Sequence, residues 1–149
     1  GAYTIENSVR QNLELEYDYG IGSLNTYKDF AQKVENSRKE LTEILLELKN
    51  QGRKIVSYGA TSKSTTVFNY CNIGPELIDY IVDTTEAKQG KYSPGMHIPV
   101  VSPEEGFDDS VDAAFLGAWN YEKEILNNEK SFIDRGGKFI THVPKVRIV

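Results

Sequence analysis

The chain has 149 residues, about one domain's worth, with 39% hydrophobic and 26% charged residues, so it can bury a sizeable core in water. A net charge of −5 argues against broad attraction to nucleic acid or to an anionic membrane, so any phosphate site must be local. A single cysteine, Cys71, excludes an internal disulfide and fits a reducing, cytoplasmic setting; two distant histidines and no cysteine pair suggest no metal cluster, and no apolar run is long enough to span a membrane.

In chain order, residues 4–19 read as helix, with Ile5, Val9, Leu13 and Tyr17 at four-residue spacing, and Gly20 and Gly22 interrupt the pattern. A second helix is expected from Asn25 or Thr26 to Asn50, stopping at Gly52. Its apolar stripe is Phe30, Val34, Leu41, Ile44, Leu45 and Leu48, and its lysines and glutamates form a solvated face. Such a stripe covers either a sheet or a neighbouring domain. The opening Gly-Ala suggests a cleaved tag and a piece of a longer polypeptide.

From Arg53 the rhythm becomes strand, helix, strand. Strands are predicted at 54–58, 78–82, 98–101, 112–116 and 138–141. Helices are predicted at 62–72 and 121–135, with a short one near 103–106. The expected fold is α/β, a Rossmann-like three-layer domain with a mostly parallel sheet of about five strands, preceded by helical segments. The divisions fall at 1–22, 23–52 and 53–149, the middle piece being a connecting helix.

The most informative stretch is Lys54 to Tyr70. An apolar strand reaches Gly59, the only glycine between Arg53 and Ile73, and the chain then enters a helix through small hydroxyl residues. A helix start at a strand's carboxyl end offers N–H groups to an anion. Thr61, Ser62 and Ser64 would add hydroxyls, and Lys63 a point charge. The turn lacks the three glycines of a dinucleotide fingerprint and the glycine-lysine pair of a Walker loop. Either it holds phosphate, or Gly59 is a tight turn and Ser62 or Ser64 a helix cap.

Three further features fall at the same rim of the sheet. Asp83 lies 24 residues past Gly59, close to where dinucleotide folds place a ribose-binding acid, or else it caps the following loop. Gly117-Ala118-Trp119-Asn120 offers a stacking face and an amide, or a core tryptophan beside a helix cap. The segment between Asp83 and Pro99 reads as long and irregular, and contributes Lys88, Lys91, Tyr92 and His97 to an acidic chain. Singly, these four read as solvated charge or loop residues; together they point toward binding.

The run from Tyr58 to Gly74 (YGATSKSTTVFNYCNIG) resembles the opening of the C-terminal domain of sugar C-methyltransferases. So, in the same order, do Asp79–Asp83 (DYIVD), Lys88–Gly95 (KQGKYSPG), His97–Pro99 (HIP), Ala118–Asn120 (AWN) and Arg135–Ile140 (RGGKFI). The likeness covers residues 53–149 well. The helix at 24–51 resembles the family's connecting helix, and residues 1–20 the end of the domain before it. Members of the family it resembles often have Ala-Lys-Gly-Asn-Thr where this chain has Ser62 to Thr66. Serine in place of glycine at 64 narrows the backbone approach but adds a hydroxyl.

The resemblance implies a role in an S-adenosylmethionine-dependent enzyme that methylates a ring carbon of a nucleotide-linked 4-keto sugar. In such chemistry the C4 ketone acidifies the neighbouring hydrogen, a base removes it, and the carbanion takes the methyl group. The family has an N-terminal zinc-binding module and a central methyltransferase domain, which hold zinc and S-adenosylmethionine. Neither cofactor is expected in this chain, which alone should transfer no methyl group. Its implied partners are the preceding methyltransferase domain and a nucleotide-diphosphate sugar, with neither nucleic acid nor membrane. The implied sugar-nucleotide contacts are Gly59, Ala60, Thr61, Ser62, Lys63, Ser64, Asn69, Asp83, Lys88, Gly90, Tyr92, Pro94, His97, Trp119 and Asn120. No catalytic base is assigned. Two alternatives stand beside this reading: an NAD(P)- or coenzyme A-binding module using Gly59 and Asp83, and an interaction module docking through the 24–51 helix.

Overall fold

The structure, a computed structural model, describes residues 5–149. It divides into compact units at residues 1–36 and 37–149. In the first, helix α1 (Asn7–Tyr19) ends where Gly20 adopts a left-handed φ of 77°, and the Thr26 hydroxyl donates to the Gly20 carbonyl at 2.8 Å. The helix predicted from residue 4 thus starts at Asn7; residues 1–4 lie outside the described residues. Helix α2 (Leu24–Asn50) spans both units. Its predicted stripe splits. Leu41, Leu45 and Leu48 are buried, whereas Phe30 is exposed.

The second unit is built on a six-stranded sheet. Its strands are β1 (Ile55–Tyr58), β2 (Ile81–Val82), β3 (Val100–Val101), β4 (Ala113–Leu116), β5 (Lys138–Thr141) and β6 (Arg147–Ile148), in the order β3-β2-β1-β4-β5-β6. The first five are parallel, and β6 runs antiparallel to β5. Helices α3 (Ser62–Cys71), α4 (Pro103–Gly106), α5 (Glu122–Asn128) and α6 (Lys130–Asp134) complete a Rossmann-like α/β fold. Among the described residues no helix is long and apolar enough to cross a membrane.

Side-chain alternation along the strands makes two cores. Ile55, Ala113, Phe115 and Ile140 face Leu41, Leu45, Leu48 and Phe68 from α2 and α3. Val56, Ala114, Leu116 and Phe139 face Ile125 and Phe132 from α5 and α6.

The departures from expectation have local causes. β2 was predicted from residue 78 but begins at Ile81, because the Asp79 carboxylate takes the Ile55 N–H at 3.0 Å in place of a backbone acceptor. β3 is shortened because Ile98 and Ser93 bond to each other: the Ser93 N–H donates to the Ile98 carbonyl at 2.8 Å and the Ile98 N–H to Ser93 Oγ at 3.0 Å. The helix predicted over 121–135 breaks at Glu129 (φ −100°, ψ 34°), whose carboxylate accepts the Tyr58 hydroxyl at 2.6 Å. The sixth strand, absent from the sequence reading, pairs antiparallel with β5, and one guanidinium nitrogen of Arg147, Nη2, reaches both carboxylate oxygens of Glu122 at 2.8 Å.

Candidate functional site

At the carboxyl end of β1 the chain turns at Gly59, where φ is 99° and the N–H donates to the Val82 carbonyl at 2.8 Å. A Cβ here would sit 3.2 Å from that of Ala118, and one on Gly117 only 2.3 Å from the Gly59 carbonyl oxygen. Doubly wound sheets place ligands where the strand order reverses, here between β1 and β4. In this chain that crevice is bridged: the Thr61 hydroxyl donates to the Gly117 carbonyl at 2.7 Å.

The first turn of α3 is closed from within. Thr61 Oγ1 accepts the Ser64 N–H and Ser64 Oγ accepts the Thr61 N–H, each at 3.0 Å, a reciprocal capping box. Ser64 is 1% exposed, so its hydroxyl points into the helix cap. The N–H groups of Ser62 and Lys63 keep no protein partner among the described residues. Lys63 is exposed and lies outside the lining of the neighbouring cleft.

Asp83 is also engaged by the turn. Its Oδ2 accepts the Ala60 N–H at 2.7 Å and a bond from Lys88 Nζ at 3.1 Å, and its Oδ1 accepts the Thr85 N–H at 2.8 Å. Burial alone would raise its pKa, but the bonds from Thr85, Ala60 and Lys88 outweigh it and hold the carboxyl below the usual carboxylate range. Lys88 Nζ donates in addition to the Ala60 carbonyl at 2.8 Å.

The segment predicted as irregular between Asp83 and Pro99 is a narrow hairpin over its second half. Gly90 N–H donates to Val100 O at 2.9 Å, Val100 N–H to Lys91 O at 2.8 Å, and Tyr92 bridges Pro99. Asn69 ties its tip to α3 by donating to Thr65 O at 2.8 Å and Pro94 O at 2.9 Å. Gly95 makes this possible, since a Cβ there would fall 1.8 Å from Asn69 Oδ1.

Between this hairpin and α3 lies a cleft of about 510 Å³, within the usual range for small-molecule sites. Of the residues singled out from sequence, Ala60, Thr61, Ser62, Lys88, Lys91, Tyr92 and Pro94 line it. Thr65 and Thr66, not singled out from sequence, join them by repeating the faces of Thr61 and Ser62 one helical turn on. The charged side chains in the lining are Lys88 and Lys91, and because Lys88 is paired with Asp83 it is Lys91 that gives the cleft its positive charge in an acidic protein. Tyr92 is 67% exposed above it.

The remaining predicted residues are elsewhere. Gly90 and His97 are exposed loop residues with left-handed φ values of 72° and 55°, and neither lines the cleft. Trp119 and Asn120 line a separate groove of about 460 Å³ with Tyr121, Pro144 and Arg147. The two spaces share no residue. A smaller space of about 190 Å³ at Gly59, Asp83 and Ala118 is where a dinucleotide would lie, and it falls short of the ~300 Å³ at which ligand sites begin.

The strand order, the glycine turn and the cleft describe a Rossmann-like α/β domain without the dinucleotide arrangement. The chain belongs to the family described as C-methyltransferase C-terminal domain, whose sequence profile matches residues 1–144. It is 35% identical over 147 residues to the C-methyltransferase NovU of Streptomyces niveus, an alignment covering 99% of this chain and 35% of that protein. The chain thus spans about a third of that relative's length.

Proposed function

We propose that this domain holds the nucleotide end of a nucleotide-diphosphate sugar for an S-adenosylmethionine-dependent C-methyltransferase whose methyl-transfer chemistry lies elsewhere in the whole protein. The observation carrying this reading is the 510 Å³ cleft, in which hydroxyls of α3 meet Lys91 and an open tyrosine face. The lysine supplies charge for a diphosphate, the Ser62 hydroxyl and the N–H groups of Ser62 and Lys63 supply donors, and Tyr92 supplies a ring for a base or sugar. Contacts to the nucleotide, remote from the reacting carbon, orient the sugar for attack.

S-adenosylmethionine supplies the methyl group in that chemistry, but this cleft does not suit it. A sulfonium is a cation, and the charged side chains in the lining are both lysines. Calorimetric titration with nucleoside diphosphates and nucleotide-sugars tests the reading. Saturable heat that falls in Ser62→Ala and Lys91→Met supports it. Absence of heat with every diphosphate tried contradicts it. NADH serves as the discriminating control, since an NAD module requires its ribose acid free, and Asp83 faces the turn.

A further inference from the structure

Resting on the nucleotide reading, we infer that Asp83 and Lys88 are a positioning pair: they grip Ala60 from both sides and thereby set the wall of the cleft. The three groups form a closed set of contacts. Ala60 N–H donates to Asp83 Oδ2 at 2.7 Å, Lys88 Nζ donates to Ala60 O at 2.8 Å, and Lys88 Nζ meets Asp83 Oδ2 at 3.1 Å. The residues that follow Ala60, Thr61 and Ser62, are the wall itself.

The carboxylate cannot swing away easily. Its second oxygen accepts the Thr85 N–H at 2.8 Å, its side chain is 9% exposed, and Gln89 Nε2 holds the Asp83 carbonyl at 3.0 Å. An acid at the end of the second strand would serve a ribose in a dinucleotide fold. Here its oxygens are engaged by the protein's own turn, so the position acts on the ligand through Ala60 rather than by contact. Lys88 also lies on the hairpin side of the cleft while Ala60 opens the α3 side. The pair therefore fixes the width between the two walls, and Asn69 repeats the tie at the far end through Pro94.

The test combines amide hydrogen exchange at Ala60, read by nuclear magnetic resonance, with calorimetry using thymidine and uridine 5′-diphosphates. Lys88→Met and Asp83→Ala are expected to speed Ala60 exchange about tenfold, the weight of one charge-assisted hydrogen bond. Diphosphate affinity should fall by a similar factor, and Lys88→Arg, which can still donate to both oxygens, should restore both. If Asp83→Ala does not fold, Lys88→Met with its arginine rescue carries the test. Unchanged Ala60 exchange in the folded variants overturns the inference. So does faster exchange with unaltered affinity, which reduces the pair to a structural tie. A wild-type chain that binds neither diphosphate overturns the nucleotide reading itself, a result distinct from either of these.

Discussion

Replacing Ser64 by alanine separates a helix cap from a ligand contact. The hydroxyl is 1% exposed, accepts the Thr61 N–H at 3.0 Å and donates to the Thr61 carbonyl at 2.8 Å. Its loss leaves the Thr61 N–H without its acceptor at the start of α3, which costs about 1–2 kcal/mol. For a chain of this size that corresponds to a fall in Tm of roughly 3–6 °C. Urea unfolding followed by far-ultraviolet circular dichroism should show a lower midpoint with an unchanged slope. Ser62→Ala is the counterpart: its side chain is exposed and lines the cleft, so stability should change by less than ~0.5 kcal/mol while diphosphate affinity falls. A Ser64→Ala protein of wild-type stability that has lost binding would show that this hydroxyl faces the ligand, and would refute the cap assignment.

Phe68 is fully buried and meets Phe115 with ring centroids 5.3 Å apart, so Phe68→Ala should cost about 3–5 kcal/mol in the same unfolding assay; a loss under ~1 kcal/mol would contradict that packing. Burial, reinforced by the hydrogen bond to Glu129, pushes the Tyr58 hydroxyl well above the ordinary tyrosine range. Because the folded value is the raised one, the stabilisation is complete below pH ~10, where an unfolded tyrosine titrates, and is lost as alkalinity rises beyond it. Absorbance titration should therefore show a late-ionising tyrosine that Tyr58→Phe removes; nine tyrosines titrating together would contradict this. Lys91→Met should weaken diphosphate binding about threefold to tenfold and flatten its salt dependence, read by calorimetry at two ionic strengths. An unaltered affinity would remove Lys91 from the site.

What could be read from the sequence is what local chemistry decides. The apolar runs at 55–58, 113–116 and 138–141 form strands because both faces of a parallel sheet are covered. The Gly59 turn follows from one glycine and the start of α3 from capping chemistry, but the cap is Thr61, with Ser64 three residues on, rather than Ser62 or Ser64 as the sequence suggests. Non-local partners decided the rest. β6 is a strand because it pairs with β5, with Arg147 also held by Glu122, 25 residues earlier, and the helix break at Glu129 coincides with its bond to Tyr58, 71 residues away. Asp83 lies at the expected offset and caps the following loop through the Thr85 N–H, the second reading open there, but its bond to the Ala60 N–H is one that no spacing rule identifies. Trp119 and Asn120 lie at the end of a strand as expected, but the short turn after β4 directs them into a groove separate from the α3 cleft.

Mapping where a ligand sits tests the central claim most directly. Thymidine 5′-diphosphate should be titrated into the labelled chain while backbone amide resonances are followed. Saturable shifts are expected at Thr61, Ser62, Lys91 and Tyr92, on the two walls of the cleft, with Trp119 and Asn120 unmoved. Shifts confined to Trp119–Lys123 and Arg147, or none anywhere, would contradict the assignment of the α3 cleft as the nucleotide site.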